Sequence, residues 1–268
     1  MSAEQVDHAA QVDLERTIHE QTFPPRPGPP PFRPSDATDP DIADSYQTYL
    51  GRVPIMGGLE LLTAVQAELA PRDDENRLVP QVAAGTAPRE VFRVAAAEEL
   101  RIVPSDWRSL HLLASRAAEP AVRSYFGALT AGEELALAQL SPLAEATGLD
   151  PAADYEQLPG CQAYPSYFAW LALNAEPADV VVALTANFAA WGSYCSSIAT
   201  AMRTHYGFAD AACGFFDFFA TPQPPDQAAA AAQAGLDAGT LDPARTRRYA
   251  RMIQSYELMF WNTLADVT

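Results

Sequence analysis

Apolar residues recur every three or four positions along most of the chain after residue 40. Leu59, Leu62, Val65 and Leu69 show this spacing, which places apolar side chains on one face of an α-helix. No clear run of alternating apolar and polar residues, the pattern of a half-buried strand, interrupts it. The pattern predicts an all-α protein. The predicted helices are 41–70, 88–101, 104–117, 120–148, 164–174, 177–205, 208–220, 224–238 and 242–265.

Proline, aspartate and glycine mark the ends of several predicted helices. Pro120, Pro177 and Pro243 stand in predicted first turns, where the N–H that proline lacks would have no partner. Asp242 precedes Pro243 and is expected to cap that helix. Gly148 is expected to end the helix that begins at Pro120.

The N-terminal part of the chain has a different composition. Residues 23–40 are rich in proline, which has a fixed φ and no N–H, so this stretch predicts an extended, polyproline-like linker. The sequence therefore predicts an N-terminal extension with a Pro-rich linker over residues 1–40. Residues 41–268 are predicted to form one helical domain.

The charged residues of the chain argue against several functions. The chain has 17 basic and 34 acidic residues, a formal net charge of −17, and none of the basic residues is lysine. Schiff-base catalysis, covalent pyridoxal-phosphate attachment and Walker-type phosphate binding all need a lysine amine. Nucleic acid requires several phosphate-neutralising contacts. The sequence offers one short basic cluster within residues 245–251, so we expect no direct contact with nucleic acid.

Cysteine usage and the chain start favour a cytoplasmic protein. Cys161, Cys195 and Cys213 form no Cys-x-x-Cys pair and are odd in number, which is typical of reduced thiols. The acidic N-terminus has no secretory signal pattern. The uncharged segment 180–202 is long enough to cross a bilayer, but its Thr, Ser and Asn side chains favour a central helix of a bundle. We therefore expect no membrane partner.

Metal and cofactor chemistry has little support in the sequence. Only four histidines occur, with no Glu-x-x-His pair, so we expect neither a metal nor another cofactor. A metal-dependent oxygenase is retained as an alternative, and its ligands would come from Glu98, Asp106, His111, Glu133, His205 and Glu257. Glu133 and Glu134 are otherwise expected to face water.

Two segments carry candidate chemistry. Asn187, Trp191 and Cys195 are spaced at i, i+4 and i+8, so on a helix they share one face and either line a cavity or pack in the core. Glu257 lies among apolar residues near the C-terminus. A buried carboxyl group has a raised pKa, which suits a general acid or base. The alternative is that Glu257 faces solvent from the polar side of its helix.

Three motifs resemble one known family. Tyr164 in AYPSYF, the ALTAN segment 183–187 and the ELMFW segment 257–261 resemble the C-terminal half of the TenA proteins, the thiaminase II or aminopyrimidine aminohydrolase family. The resemblance covers residues 88–265, and the 23 residues from Tyr164 to Asn187 match the family spacing. It implies the helical heme-oxygenase-like fold that these proteins share with PqqC, and a homo-oligomer.

The resemblance also implies roles for individual residues. Glu257 is similar to the family's catalytic glutamate and Tyr164 to a pocket tyrosine. Phe219 is placed where the family has another pocket tyrosine, and Asp106 resembles the aspartate that binds the pyrimidine amino group. Asn187 stands where the family has its nucleophilic cysteine.

Trp191 stands where the family usually has tyrosine. Because an amide is not a nucleophile, the resemblance disfavours thiaminase activity. It implies a TenA-like protein that binds and transforms a small nitrogen heterocycle by acid/base chemistry, with Glu257 as the catalytic residue. Hydrolysis by activated water and a cofactorless oxidation, as the similarity to PqqC allows, are both open. The implied substrate-binding residues are Asp106, Tyr164, Asn187, Trp191 and Phe219. The alternative is a non-catalytic ligand-binding or regulatory member of the family.

Overall fold

Nine α-helices and no strand occur in residues 56–72 and 75–268, which are the residues that the computed structural model describes. These residues form one compact unit. The predicted extension 1–40 and the predicted helical residues 41–55 lie outside them. The helices are α1 Gly58–Glu68, α2 Leu78–Ala83, α3 Glu90–Arg116, α4 Pro120–Thr147, α5 Pro159–Asn174, α6 Pro177–Thr204, α7 Asp210–Ala220, α8 Asp226–Ala238 and α9 Pro243–Leu264.

The predicted capping residues lie at the ends of their helices. The Asp242 side chain accepts hydrogen bonds from the backbone N–H groups of Ala244 at 2.8 Å and Arg245 at 3.3 Å, which caps α9. Pro243 follows as the first residue of that helix. Gly148 ends α4 with a φ of 67°, in the left-handed region that glycine adopts without a steric penalty.

Helix α3 corrects the sequence prediction. The two predicted helices 88–101 and 104–117 are one continuous helix with Pro104 inside it. A proline removes one backbone hydrogen bond from a helix interior. Apolar side chains on both sides of it, such as Ile102 and Leu110, are buried in the core and hold the two halves in line.

Two other differences concern helix starts. α5 begins at Pro159 and not at residue 164, because proline is accepted in a first helical turn. The short helix α2 was not predicted, since six residues are too few to show a helical period. Its start is fixed by Asn76, whose side-chain oxygen accepts from the N–H groups of Leu78 and Val79, both at 3.1 Å.

Helix α6 is central, as the uncharged segment 180–202 predicts. It packs against α1, α2, α4, α7, α8 and α9. Val180, Val181 and Val182 are fully buried, and the side chain of Thr185 donates to the backbone oxygen of Val181 at 2.6 Å. Within the described ranges, none of the helices has the length and apolar character needed to cross a membrane.

Candidate active site

Six helices enclose a cavity of about 80 Å³ in the interior of the bundle. A cavity of this size has room for several water molecules. All six residues predicted for the site line it: Asp106 from α3, Tyr164 from α5, Asn187 and Trp191 from α6, Phe219 from α7 and Glu257 from α9. Residues far apart in the sequence therefore meet at one place.

Glu257 is buried and faces the cavity. Its side chain is 4% exposed, which decides between the inward and the solvent-facing alternatives. Trp261, one turn later on α9, donates its Nε1–H to Oε1 of Glu257 at 3.0 Å. Burial raises the pKa of Glu257 to about 8, and the hydrogen bond from Trp261 lowers that pKa in part. The group can therefore exchange a proton near neutral pH.

Asn187 contacts Glu257 directly. Its Nδ2 donates a hydrogen bond to Oε2 of Glu257, so the two carboxylate oxygens have one donor each, from α6 and from α9. The position where the family has its nucleophilic cysteine thus carries a donor to the carboxyl group. Such donors favour the ionised form of a carboxyl group.

Trp191 and Phe219 form an aromatic side of the cavity. Their rings meet edge to face with centroids 5.8 Å apart. Trp191 also packs against Trp261, with centroids 4.8 Å apart and ring planes 40° apart, and against Phe260 at 6.0 Å. An aromatic side of this kind suits a planar ligand.

Asp106 and Tyr164 lie in the cavity with strongly perturbed ionisation. Burial, reinforced by the nearby carboxyl groups of Glu133 and Glu99, raises the pKa of Asp106 well above its ordinary value, while a hydrogen bond with Tyr164 lowers it in part. Burial and the Asp106 carboxyl group raise the pKa of Tyr164 as well. A raised pKa favours the protonated form of both groups, in which each can donate a hydrogen bond.

Glu99 and Glu133 also line the cavity. The sequence analysis does not name Glu99, and it names Glu133 only as a ligand of the metal alternative. Glu133 was expected to face water, but it is half-buried, and burial raises its pKa to about 8. Glu134, the next residue, is exposed as predicted. The helical spacing of the sequence indicates that Glu99 and Glu133 both lie on buried helix faces. Glu99 precedes Asp106 by seven residues on α3, and Glu133 follows the buried Thr130 by three on α4.

Of the six predicted metal ligands, three line the cavity, Asp106, Glu133 and Glu257, whereas the other three, Glu98, His111 and His205, do not. The Glu98 side chain accepts hydrogen bonds from the Tyr155 hydroxyl at 2.9 Å and the Leu158 N–H at 2.6 Å, two groups outside the cavity lining. His111 packs against Trp107 with ring centroids 4.2 Å apart. His205 caps the C-terminus of α6.

Among the described residues, no group of three or more His, Cys, Asp or Glu side chains has the geometry to hold a metal ion. The ligand set of the oxygenase alternative is therefore not assembled there.

Cys195 does not replace the missing nucleophile. It is fully buried and lies outside the described residues that line the cavity. Burial, with the nearby Glu99 and Glu257, raises the pKa of Cys195 well above its ordinary value. A thiol in such surroundings is inert, because the thiolate is the nucleophilic form.

A second hollow, of about 390 Å³, lies on the outer side of α9. Two of its charged residues, Arg77 and Asp266, pair with each other at 2.7 Å across exposed surface. This ion pair links the start of α2 to the residues that follow α9. The interior cavity is the candidate active site.

The chain belongs to the TENA/THI-4/PQQC family, whose family model matches residues 77–266. This range contains every residue of the predicted site. The match confirms the resemblance carried by Tyr164, the ALTAN segment and the ELMFW segment. A comparison with curated proteins finds no match.

Two solved structures have the same fold. The first is that of a TenA family transcription regulator from Silicibacter sp. TM1040, with a TM-score of 0.57 and 18% identity over 79% of this chain and 98% of that chain. The second is that of a TenA homologue from Pyrococcus furiosus, with a TM-score of 0.54 and 15% identity over 77% of this chain and 98% of that chain. The predicted heme-oxygenase-like fold is therefore confirmed.

Proposed function

We propose that this protein binds a small nitrogen heterocycle in the interior cavity and transforms it by acid/base chemistry without a cysteine nucleophile. The observation that supports the proposal most directly is the environment of Glu257. Its carboxyl group is buried at the cavity wall, has a pKa raised to about 8, and accepts hydrogen bonds from Trp261 and Asn187. A general acid or base works best when its pKa is near the working pH.

Glu257 can act alone as both the acid and the base of the proposed reaction. Glu257 is mainly protonated at neutral pH and can give its proton to a ring nitrogen or a leaving group. The carboxylate that remains is stabilised by the N–H groups of Trp261 and Asn187, which are already in place. In the reverse direction the carboxylate takes a proton from a water molecule that attacks the ring. Hydrolysis by activated water is the reaction class that these groups support.

The remaining residues orient the ligand. Trp191 and Phe219 provide the aromatic side against which a heterocycle packs. Asp106 and Tyr164 provide hydrogen-bonding groups within the same cavity. A covalent route is disfavoured, because Asn187 carries no nucleophile and Cys195 lies away from the cavity lining as a buried thiol.

The test compares Glu257→Gln with wild type over a panel of aminopyrimidines, thiamin and related heterocycles. We expect a ligand from the panel to raise the melting temperature of both proteins, since at a hundredfold excess over Kd binding adds about 2.7 kcal/mol of stability. We expect turnover only in the wild type, with a loss of about 10²- to 10⁴-fold in the variant. Unchanged turnover in Glu257→Gln would overturn the assignment of Glu257.

Glu145→Gln is the matched control. Glu145 is exposed on α4, outside the described residues that line the cavity, and the substitution makes the same chemical change. Turnover in this variant should equal that of the wild type. A loss in both variants would mean that the effect does not come from the cavity.

A second candidate is a ligand-binding or regulatory protein without catalysis. The observation that favours it is Asn187, an amide where the family has its nucleophile, held by its hydrogen bond to Glu257. With a net charge of −17, such a role would act through a ligand or a protein partner and not through direct contact with DNA. A stable shift in melting temperature with no consumption of any ligand would favour this candidate.

A further inference from the structure

Hydrogen bonds join α6 to α9 at two places among the described residues. One is the bond from Asn187 to Glu257 at the cavity wall. The other lies about two turns earlier on α6, where Asp179 binds the start of α9. Leu184 on α6 and Ile253 on α9 lie between these places, and both are apolar and belong to one core cluster. Polar contacts therefore stand at both ends of an apolar contact between the two helices.

Asp179 is fully buried, and both of its carboxylate oxygens have partners on or next to α9. Oδ1 accepts from the backbone N–H of Asp242 at 2.7 Å and from the Thr246 hydroxyl at 3.2 Å. Oδ2 accepts from Nε of Arg245. The Thr246 hydroxyl is also 3.2 Å from the backbone oxygen of Asp179. One side chain of α6 therefore holds the N-cap residue and the first turn of α9.

The ion pair between Asp179 and Arg245 acts on geometry more than on stability. The Asp179 side chain is 0% exposed and that of Arg245 is 29% exposed, and the cost of removing such charges from water offsets most of their attraction. Charge-assisted hydrogen bonds are strong and depend on distance and angle. Apolar contacts have no preferred direction. Buried polar groups fix the register of apolar helices in coiled coils, and the same reasoning applies to α6 and α9.

We propose that Asp179 is a positioning residue for the cavity: it fixes the register of α9 against α6 and thereby brings Glu257 to Asn187. This inference rests on the proposed function for the role of Glu257, and it adds a residue outside the described cavity lining. Asn187 follows Asp179 by eight residues, and Glu257 follows Thr246 by eleven. A slide of α9 by one residue moves Glu257 by about 1.5 Å, which is enough to break a hydrogen bond.

Loss of this register changes the pKa of Glu257 in a direction that a direct charge effect does not share. The N–H group of Asn187 favours the carboxylate form of Glu257, so separation of the two side chains raises that pKa. Removing the negative charge of Asp179 alone leaves Arg245 positive, and a positive charge lowers the pKa of a carboxyl group. The pKa of Glu257 therefore distinguishes a change of register from a change of charge.

The experiment measures the pKa of Glu257 by ¹³C NMR of the full chain, labelled at the glutamate carboxyl carbons. The spectrum of Glu257→Gln identifies the signal. In the wild type we expect a pKa of about 8. Asp179→Asn leaves one acceptor oxygen where the carboxylate has two, so the bond from Arg245 is lost. We expect the pKa of Glu257 to rise in this variant by about 0.5 to 1 pH unit, the effect of one lost hydrogen bond.

Thr246 offers a matched pair of variants that leave no unpaired charge. Thr246→Val keeps the shape of the side chain and removes the hydroxyl, whereas Thr246→Ser removes a methyl group and keeps the hydroxyl. We expect Thr246→Val to raise the pKa of Glu257 and Thr246→Ser to keep the wild-type value, because the hydrogen bond to Asp179 survives only in the second. The opposite ranking would show that packing sets the register and would overturn the inference.

Asn187→Leu completes a double-mutant cycle. It removes the donor to Glu257 directly, so it raises the pKa of Glu257 by itself. Adding Asp179→Asn should cause no further rise, because Asp179 acts through Asn187. Equal rises with and without Asn187 would contradict this route. Glu68→Gln is the control and should leave the pKa unchanged, since Glu68 pairs with Arg247 and joins α9 to α1.

The measurement requires neither ligand nor turnover, so it separates this inference from the proposed function. If the pKa of Glu257 rises in Asp179→Asn and Thr246→Val while no heterocycle binds the wild type, the positioning role stands and the proposed function is overturned. If turnover is found and the pKa is unchanged or lower in both variants, the proposed function stands and the positioning role is wrong. Thr246→Val decides the question if Asp179→Asn does not fold.

Discussion

At the scale of single residues, the ionisation of Glu257 is controlled from two sides. Removal from water favours the neutral acid, while the N–H groups of Trp261 and Asn187 favour the carboxylate. The net effect raises the pKa of Glu257 to about 8, so burial is the larger effect. Asn187 therefore acts on the carboxyl group that the proposed chemistry uses, and this explains an amide at that position better than contact with a ring substituent alone.

The raised pKa of Glu257 predicts how stability depends on pH. The ordinary pKa of the group is 4.5 and the folded value is about 8, so between these values the folded protein holds a proton that the unfolded chain has lost. The stabilisation is complete below pH of about 4.5 and is lost as the pH rises through about 8. Glu257→Gln removes this contribution.

Chemical denaturation at about pH 5.5 and about pH 7.5 measures the effect. We expect the unfolding free energy of the wild type to fall with pH more steeply than that of Glu257→Gln, by about 1 kcal/mol per pH unit. The neighbouring acids Glu99, Asp106 and Glu133 act with the same sign in both proteins. Because Glu257 also raises the pKa of Glu99, the difference between the slopes reports Glu257 together with its effect on Glu99. Equal slopes would contradict a buried, protonated Glu257.

The sequence identified residues with distinctive chemistry more readily than ordinary ones. Glu257, Tyr164 and Asn187 were found because family motifs surround them. Glu99 was missed because it follows another glutamate, Glu98, and the sequence alone does not say which of two adjacent carboxyl groups faces a cavity. In the structure Glu98 is satisfied by Tyr155 and the Leu158 N–H, which leaves Glu99 at the cavity wall.

At the scale of elements, α1 depends on a close approach to α8. The backbone N–H of Gly58 donates to the side-chain oxygen of Gln233 at 2.9 Å. A Cβ atom on Gly58 would overlap the carbonyl oxygen of Ala229 and the backbone N of Gln233. Backbone atoms cannot rotate away as a side chain does, so only glycine allows the two helices to pack at this distance.

Gly58→Ala should therefore destabilise the protein by about 1 to 3 kcal/mol, the usual effect of overpacking. The matched control is Gly127→Ala, in the middle of α4, where an added Cβ has no neighbour within 4 Å. We expect the control to be neutral or stabilising by up to about 1 kcal/mol, because alanine has the higher helix propensity. Urea denaturation of both variants measures the two effects. A neutral Gly58→Ala would mean that α1 and α8 can separate without a penalty.

Every described helix except the six-residue α2 could be predicted from the sequence, whereas the continuity of α3 could not. The second of the two helices predicted there, 104–117, begins at Pro104, in accord with the low tolerance of a helix interior for proline. In α3 the apolar face continues from Ile102 to Leu110 on both sides of it, and burial of that face outweighs one lost hydrogen bond. Continuity matters for the site, because it places Glu99 and Asp106 seven residues apart on one face of the same helix.

At the scale of the whole molecule, the site is assembled from distant parts of the chain. Asn187 and Glu257 are 70 residues apart in sequence and share a hydrogen bond. Periodicity predicts which face of each helix is buried, but it does not predict which helices meet. The resemblance to the family supplied that information for the six predicted residues, and packing alone supplied Glu99 and Glu133.

The acidic excess of the whole chain predicts a response to salt. A formal net charge of −17 produces self-repulsion in the compact state, which weakens it relative to the expanded unfolded chain. Salt screens that repulsion, since the Debye length falls from about 10 Å at 0.1 M to about 3 Å at 1 M. We expect the melting temperature to rise with sodium chloride, at about 2 to 4 °C for each kcal/mol gained.

Salt also screens the attraction within exposed ion pairs, which lowers the melting temperature. These pairs are too weak to reverse the effect of screening the net charge. Arg77 and Asp266 are an example: both side chains are at least half exposed, with the charged atoms 2.7 Å apart, so water and salt screen their attraction. Potassium chloride serves as the control, because screening by ionic strength does not depend on the cation, whereas binding of a specific ion does. A fall in melting temperature with both salts would show that local ion pairs, and not the net charge, dominate the electrostatic contribution to stability.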